Sequence, residues 1–282
     1  MQLIVLAAGH GRRFGGLKQL APVGPNGEAI MDFTARDARR AGFDGVALVV
    51  REEVRDELLD HIAQYWPKDL DVVPVVQGPV AGTTQAVSSA APVVEGPFGV
   101  VNADDLYGPA AMEVLAGKLA SLGPRTHAIV GYRLADTILN DAPVTRGVCE
   151  TDDDGHLRQL VEQVVRRDGD GYEARDLGSN ESQPTRRLAG DEVVSMNLWA
   201  FAHSVFADLD AALGAFDPAT APHQPGKAPE LLLPEVVGSL VRNGRCTVEV
   251  EQTEGRCIGI THPDDLPVVR QIVALELDRE GT

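Results

Sequence analysis

Short apolar runs alternate with amphipathic segments through the first half of the chain, and this order limits the fold it can adopt. The alternation predicts a mostly parallel sheet covered by helices on both faces. Ligands bind such sheets where the carboxyl ends of the strands meet, so we expect the loops after Leu6, Val76 and Val101 to share one rim. Strands are predicted over residues 2–6, 45–50, 71–76, 98–101 and 128–132, and helices over 31–41, 52–65, 84–91 and 109–122.

The pattern changes after about residue 137. Residues 147–151 and 157–165 flank a Gly-containing turn and predict a β-hairpin. Residues 166–191 are polar and lack periodicity, which favours a mobile loop or a ragged hairpin. Further strands are predicted over residues 193–201, 246–250 and 256–260, and helices over 203–216, 230–242 and 263–277.

The loop that follows the first strand reads LAAGHGRRFGGLKQL from Leu6 to Leu20. Its glycines allow positive φ angles and a close approach of the backbone to a ligand. Successive backbone N–H groups in such a turn form a concave anion site, while arginine and lysine add positive charge. The loop therefore predicts a polyphosphate site, with the nucleotide expected against Leu6, Ala7, Ala8, Gly9, His10 and Gly11.

Two common phosphate loops do not match this stretch. A Walker A loop requires Ser or Thr after its lysine, but Gln19 follows Lys18. The dinucleotide fingerprint requires a third glycine at the position that Phe14 occupies.

A second candidate segment contains Asn102, Asp104 and Asp105, directly after the buried strand 98–101. Two adjacent carboxylates beside a phosphate loop suit Mg²⁺, which takes one or two protein carboxylates and completes its shell with water and phosphate oxygens. The alternative is a helix cap before Pro109, because aspartate is a good capping residue.

The spacing Gly9-x-Gly11-x-Arg13, followed by Lys18, resembles the signature of the GT-A-like nucleotidyltransferases, which include the sugar-1-phosphate nucleotidylyltransferases. The short gap and the Lys18–Gln19 pair are similar to the MobA-like and cytidylyltransferase members. The resemblance implies a Rossmann-like, GT-A-type α/β fold in one nucleotidyltransferase domain over residues 1–282. Residues 1–136 would then bind the nucleotide, and residues 137–282, including the hairpin, the acceptor.

The implied reaction transfers a nucleotidyl group from an NTP to a sugar 1-phosphate and releases pyrophosphate. In this hypothesis Arg13 grips the β- and γ-phosphates, Lys18 stabilises charge on the α-phosphate, and Asp104 holds Mg²⁺, with Asp105 as a second ligand. The alternatives are a cytidylyl- or guanylyltransferase acting on an alcohol phosphate or a cofactor, and a regulatory protein that binds NTP without turnover.

The resemblance also implies roles for residues outside the first loop. Gln77 and Gly82 match a segment that clasps the nucleobase, Thr83 would cap the next helix, and Asn102 joins the nucleotide site. Near the end of the chain, Asp264 is a candidate second metal ligand or a helix cap.

In the acceptor half, residues 147–163 resemble a family hairpin that ends in Glu-Lys at the sugar phosphate. Glu162 matches the glutamate, but Gln163 replaces the lysine, so another cation must meet the acceptor phosphate. The candidates for that cation are Arg133, Arg146 and Arg166, and Asn197 is a candidate for bonding sugar hydroxyls.

Composition limits the partners and the compartment. A net charge of −17 excludes a general nucleic-acid binder, which needs a basic face. No apolar stretch approaches the length of a membrane span, and the N-terminus lacks the basic segment of a signal peptide. Together with three scattered cysteines, these features predict a cytoplasmic protein with free thiols. A homo-oligomer is compatible with the sequence.

Overall fold

The computed structural model describes residues 1–9, 14, 17–79, 82–177, 184–220, 229–260 and 263–280. The strands in these residues are β1 Gln2–Leu6, β2 Gly45–Val50, β3 Asp71–Val76, β4 Phe98–Asn102, β5 Asp105–Leu106, β6 Thr126–Arg133, β7 Val144–Thr151, β8 Leu157–Asp168, β9 Gly171–Asp176, β10 Arg186–Leu188, β11 Val193–Ser195, β12 Trp199–Phe201, β13 Thr247–Gln252 and β14 Ile258–Gly259. The helices are α1 Ile30–Arg40, α2 Arg55–Tyr65, α3 Thr83–Ser89, α4 Pro109–Leu119, α5 Val205–Ala215, α6 Leu233–Arg242 and α7 Leu266–Glu280.

Twelve of these strands form one sheet in the order β10-β9-β8-β7-β11-β6-β12-β4-β1-β2-β3, with β13 also paired to β6. The four strands β4, β1, β2 and β3 are parallel, as the alternation predicts. Along the rest of this order, from β12 through β6, β11, β7, β8 and β9 to β10, neighbouring strands pair antiparallel. The added strand β13 pairs parallel with β6. The fold is therefore α/β, with a parallel core that continues into an antiparallel extension.

In the central strand β1, the four residues from Leu3 to Leu6 are apolar and buried because both faces of the sheet are covered. Leu3 and Val5 pack into one hydrophobic cluster with α1 and α4. Ile4 and Leu6 pack into the cluster on the opposite face. Strands that are buried on both sides have continuous apolar runs rather than alternating ones, which explains why the sequence pattern locates this strand well.

In the second half, the structure decides between two alternatives and corrects one prediction. Of the mobile loop or ragged hairpin predicted over residues 166–191, the described residues form the hairpin: β8 continues to Asp168, and β9 and β10 follow it as antiparallel strands. The predicted strand over residues 193–201 is broken into β11 and β12 at Asn197, whose φ of 57° is left-handed and cannot continue a strand.

No helix in the described part of the chain is both long and apolar enough to cross a membrane.

Candidate functional site

The loops after β1, β3 and β4 lie side by side at one edge of the sheet, as the sequence predicts, and the end of β2 lies among them. The Ala7 N–H donates to the Val49 carbonyl at 2.8 Å. The Ala103 N–H donates to the Leu6 carbonyl at 3.1 Å, and the Gln77 N–H to the Val50 carbonyl at 2.9 Å. The parallel register therefore brings the glycine-rich loop, the Gln77 segment and the Asp104 segment together.

Two side chains, one near the end of the glycine-rich loop and one directly after β2, bond the first carbonyl groups of that loop. Gln19 Nε2 donates to the carbonyls of Ala7 and Gly9 at 3.2 and 2.8 Å. Arg51 Nε donates to the Ala8 carbonyl at 3.1 Å. These bonds satisfy the carbonyls of Ala7, Ala8 and Gly9 and fix the backbone where the loop leaves β1.

Sequence reasoning missed the roles of Gln19 and Arg51. The only signal for Arg51 is its position as the first charged residue after the apolar strand β2. Three residues predicted to bind the phosphates, His10, Gly11 and Arg13, lie outside the described residues.

An ion pair joins the first loop to the end of β4, across 86 residues of sequence. Lys18 Nζ donates to Asp104 Oδ2, and each side chain keeps about a fifth of its surface exposed, at 20% and 23%. The lysine charge is therefore fixed at the rim, next to the loop that is predicted to hold the phosphates.

Asp105 lies beside this pair and is buried. Its Oδ2 accepts a bond from Asn102 Nδ2 at 2.8 Å. Burial, followed by the negative charge of Asp104, raises the pKa of Asp105 to about 7. Its Oδ1 lies so close to Gly259 that a Cβ added there would approach within 2.2 Å. A side chain at position 259 would therefore have to displace the Asp105 carboxyl group.

The two carboxyl groups fit a divalent cation at this edge. Lys18 pairs with Oδ2 of Asp104. Asp105 adds a second carboxyl group beside it, and the pKa of that group is raised first by burial and then by the charge of Asp104. Asp264 is exposed in the turn before α7. Its carboxylate does not join those of Asp104 and Asp105 in a compact three-ligand cluster.

Three other acidic or imidazole groups among the described residues lie close enough together to hold a metal: Asp152, Asp154 and His156, in the turn between β7 and β8. Asp152 Oδ1 accepts backbone N–H bonds from Asp154 and His156 at 3.0 and 2.8 Å. These bonds explain the cluster as a turn-stabilising arrangement.

The segment after β3 is anchored to a distant part of the chain. Gln77 Nε2 approaches the Gly82 carbonyl at 3.4 Å. Thr83 does not cap its own helix α3; its hydroxyl instead accepts the Leu233 N–H at 2.8 Å, at the start of α6. The predicted cap is therefore wrong, because that hydroxyl is used between two helices.

In the acceptor half, Glu162 lies on β8 of the hairpin, directly opposite Gly147 on β7. Burial raises the pKa of Glu162, and the charge of Glu235 adds to this rise. A Cβ on Gly147 would approach Glu162 Oε1 at 3.1 Å, so the carboxyl group lies over a position without a side chain.

The remaining residues predicted to bind the acceptor differ in how strongly neighbouring groups hold their side chains. Asn197 Oδ1 accepts the indole N–H of Trp199 at 3.2 Å, which fixes the amide. Arg133 is exposed at the end of β6. Arg166 forms an ion pair with Glu173 of the neighbouring strand β9, and the arginine side chain is largely exposed.

The Lys18–Asp104 ion pair and the buried carboxyl group of Asp105 lie beside the start of a glycine-rich loop at one edge of an α/β sheet, an arrangement typical of nucleotide-binding proteins. The sequence matches the model of the MobA-like NTP transferase domain over residues 3–146. The chain belongs to this family and is a nucleotidyltransferase.

Solved structures share the fold over nearly the whole chain. The inositol-1-phosphate CTP transferase from T. maritima is 17% identical, with a TM-score of 0.68 over 97% of this chain and 94% of that one. A UDP-glucose pyrophosphorylase complexed with UDP-glucose is 16% identical, with a TM-score of 0.63 over 98% of both chains. No curated protein sequence matches significantly.

Proposed function

We propose that the chain transfers the nucleotidyl group of an NTP to a sugar 1-phosphate, forming an NDP-sugar and pyrophosphate. The observation on which this proposal depends most is the Lys18–Asp104 ion pair beside the glycine-rich loop. It places a fixed cation and a carboxylate together where the phosphates of an NTP would lie.

The proposed chemistry is an in-line attack by an acceptor phosphate oxygen on the α-phosphorus. The new P–O bond forms as the bond to the pyrophosphate leaving group breaks, with no covalent enzyme intermediate. Gly9 and the rest of its loop supply backbone donors, and Lys18 stabilises charge that develops on the α-phosphate. Positioning and charge stabilisation would account for catalysis.

Mg²⁺ is the proposed cofactor, and Asp104 would hold it, with Asp105 beside it. When bound, the cation would neutralise phosphate charge. In the same proposal Asn102 positions the Asp105 carboxyl group through its 2.8 Å bond. Gln77 and Gly82 would contact the base, while Glu162 and Asn197 would contact the acceptor.

The acceptor half supports a phosphorylated acceptor. It presents Glu162 and Arg146 near the rim, and the charge of Arg146 acts on the pKa of both Glu162 and Asp105. A second candidate acceptor is an alcohol phosphate, and the neutral Gln163 in the hairpin favours it, because the residue departs from the sugar-phosphate pattern.

The test is pyrophosphate release with Mg²⁺ across the four NTPs, each combined with sugar 1-phosphates or with inositol and other alcohol phosphates. We expect release that requires both one NTP and a sugar 1-phosphate. Release only with an alcohol phosphate would replace the sugar with the second candidate. Nucleotide binding without release under any combination would identify a regulatory NTP-binding protein instead.

A further inference from the structure

An anionic acceptor in this site needs a cation from the acceptor half, and position 163 does not supply one. Gln163 is buried, and its Nε2 donates to Asp176 Oδ1 on β9 at 2.7 Å. The side chain is therefore used to join two strands of the sheet, and it is neutral.

The residue directly across the hairpin from Gln163 is a cation. Arg146 on β7 pairs with Gln163 on β8 in the antiparallel register, so the two side chains leave the sheet on the same face. Arg146 is only partly exposed, and desolvation lowers its pKa while the charge of Asp105 opposes this effect. The positive charge missing from position 163 is therefore present at its cross-strand neighbour.

Three hydrogen bonds hold the guanidinium of Arg146. Its Nε and Nη2 donate to the hydroxyl and carbonyl oxygens of Thr137 at 3.0 and 2.5 Å, and Nη1 donates to the Thr145 carbonyl at 2.8 Å. A guanidinium has five N–H donors, so one donor on each Nη nitrogen has no acceptor among the described residues. These two donors match a pair of phosphate oxygens.

Two carboxyl groups flank this arginine without forming an ion pair with it in the described part of the chain. The charge of Arg146 offsets part of the rise in the pKa of both Asp105 and Glu162, so the guanidinium lies within electrostatic reach of both carboxyl groups. Arg166 faces Glu173 instead.

We infer that Arg146 is the residue that binds the phosphate group of the acceptor, through its two free Nη donors, and that the ligand is a phosphate monoester. This inference rests on the proposed function for the identity of the ligand as an acceptor. The prediction itself concerns binding and requires no turnover.

The experiment is calorimetric titration of the full chain with glucose 1-phosphate and myo-inositol 1-phosphate, and with glucose and myo-inositol as neutral counterparts. Each titration is run with Mg²⁺ alone and with Mg²⁺ plus a mixture of the four α,β-methylene NTP analogues. Wild type is compared with Arg146→Met and Arg146→Lys. The matched control is Arg166→Met on the same hairpin, and Arg133→Met tests the competing cation.

We expect wild type to bind one phosphate monoester far better than its neutral counterpart. Arg146→Met should weaken that binding by about 10- to 100-fold, as expected for lost hydrogen bonds to a charged group. Arg146→Lys keeps the charge but loses the paired guanidinium donors, so its affinity for the ester should lie between those of wild type and Arg146→Met. The Arg166→Met and Arg133→Met variants should bind like wild type. The Kd of the NTP analogues and the unfolding temperature report any structural loss, and Arg146→Lys provides the test if Arg146→Met does not fold.

The inference is overturned if wild type binds no phosphate monoester, if both Arg146 variants bind it as wild type does, or if Arg133→Met causes the loss. Equal loss in Arg166→Met would also overturn it. The proposed function and this inference can fail independently. If the phosphate ester binds through Arg146 but no pyrophosphate is released, the proposed function is rejected and the inference stands. If the Arg146→Met variant releases pyrophosphate with an unchanged KM for the acceptor, the inference is rejected and the proposed function stands.

Discussion

At the scale of single residues, Lys18 contributes the most to the proposed chemistry. Replacing it with methionine keeps the length of the side chain but removes the charge beside Asp104. We expect kcat to fall by about 10²- to 10³-fold, as when one preorganised donor to developing charge is lost. Steady-state pyrophosphate release measures this effect.

The matched control for this substitution is Lys68→Met, which removes an exposed lysine that bonds the Ala63 carbonyl. It should leave kcat unchanged. Retention of at least half of wild-type kcat in Lys18→Met, with the control intact, would contradict the assigned role.

A second residue-scale prediction concerns stability and pH. His127 is buried, and its Nδ1 accepts the Ala202 N–H at 3.2 Å. Burial lowers its pKa from 6.5 to about 4. The unfolded chain therefore binds more protons between these two values, so this contribution to stability is complete above pH 6.5 and is lost as the pH falls towards 4.

The variant His127→Asn keeps an acceptor but cannot titrate in this range. The stability advantage of wild type over this variant should shrink by about 3 kcal/mol between pH 7 and pH 4. Urea unfolding of both proteins at several pH values measures the difference. A pH-independent difference would show that His127 is not buried in its neutral form.

At the scale of elements, the sequence predicts the parallel core better than the antiparallel extension. The bounds of β1, β2 and β3 agree with the apolar runs, because these strands form the parallel end of the sheet. Strands β9 and β10 are harder to predict from the sequence because their polar side chains pair across strands, as Arg187 of β10 does with Asp168 of β8. Such partners cannot be read from local periodicity.

The site shows the same division between what the sequence can predict and what it cannot. Parallel strand order is enough to bring Lys18 and Asp104 to one rim. The pairing of Arg146 with Gln163 depends on the register of the hairpin, and a shift of one residue would change the face of every side chain. The local sequence therefore could not choose among the candidate arginines.

The element-scale prediction concerns the contact between the start of α3 and the segment just before α6. Gly82 has a φ of 112°, and a Cβ there would lie 2.4 Å from the Leu231 carbonyl oxygen. The Thr84 N–H donates to that same oxygen at 3.1 Å. Gly82→Ala must therefore push the two segments apart as well as strain the backbone.

Gly96 provides the matched control, because its φ is 78° and no atom lies within 4 Å of an added Cβ. Gly96→Ala should cost only the backbone strain, about 1–2 kcal/mol. Gly82→Ala should cost roughly 1–3 kcal/mol more, as for an overpacked site. Urea unfolding measures the loss of stability in both variants. Equal losses would show that the segment at Leu231 moves away from the added Cβ without a measurable loss of stability.

At the scale of the whole molecule, the two halves share one sheet. Strand β12, from the second half, lies between β4 and β6 of the first half and pairs with both. Strand β13 pairs with the other side of β6. Neither half could unfold alone without exposing unpaired strand edges and the buried apolar faces beside them.

We therefore expect the chain to unfold in a single cooperative transition. The two tryptophans allow a local test, since Trp66 follows α2 and Trp199 lies in β12, both buried. In the single-tryptophan variants Trp66→Phe and Trp199→Phe, urea curves from fluorescence and from far-UV circular dichroism should have the same midpoint. The comparison is made within each variant, so the stability lost by the substitution does not affect it. A fluorescence midpoint displaced from the circular dichroism midpoint in either variant would show that the halves unfold separately.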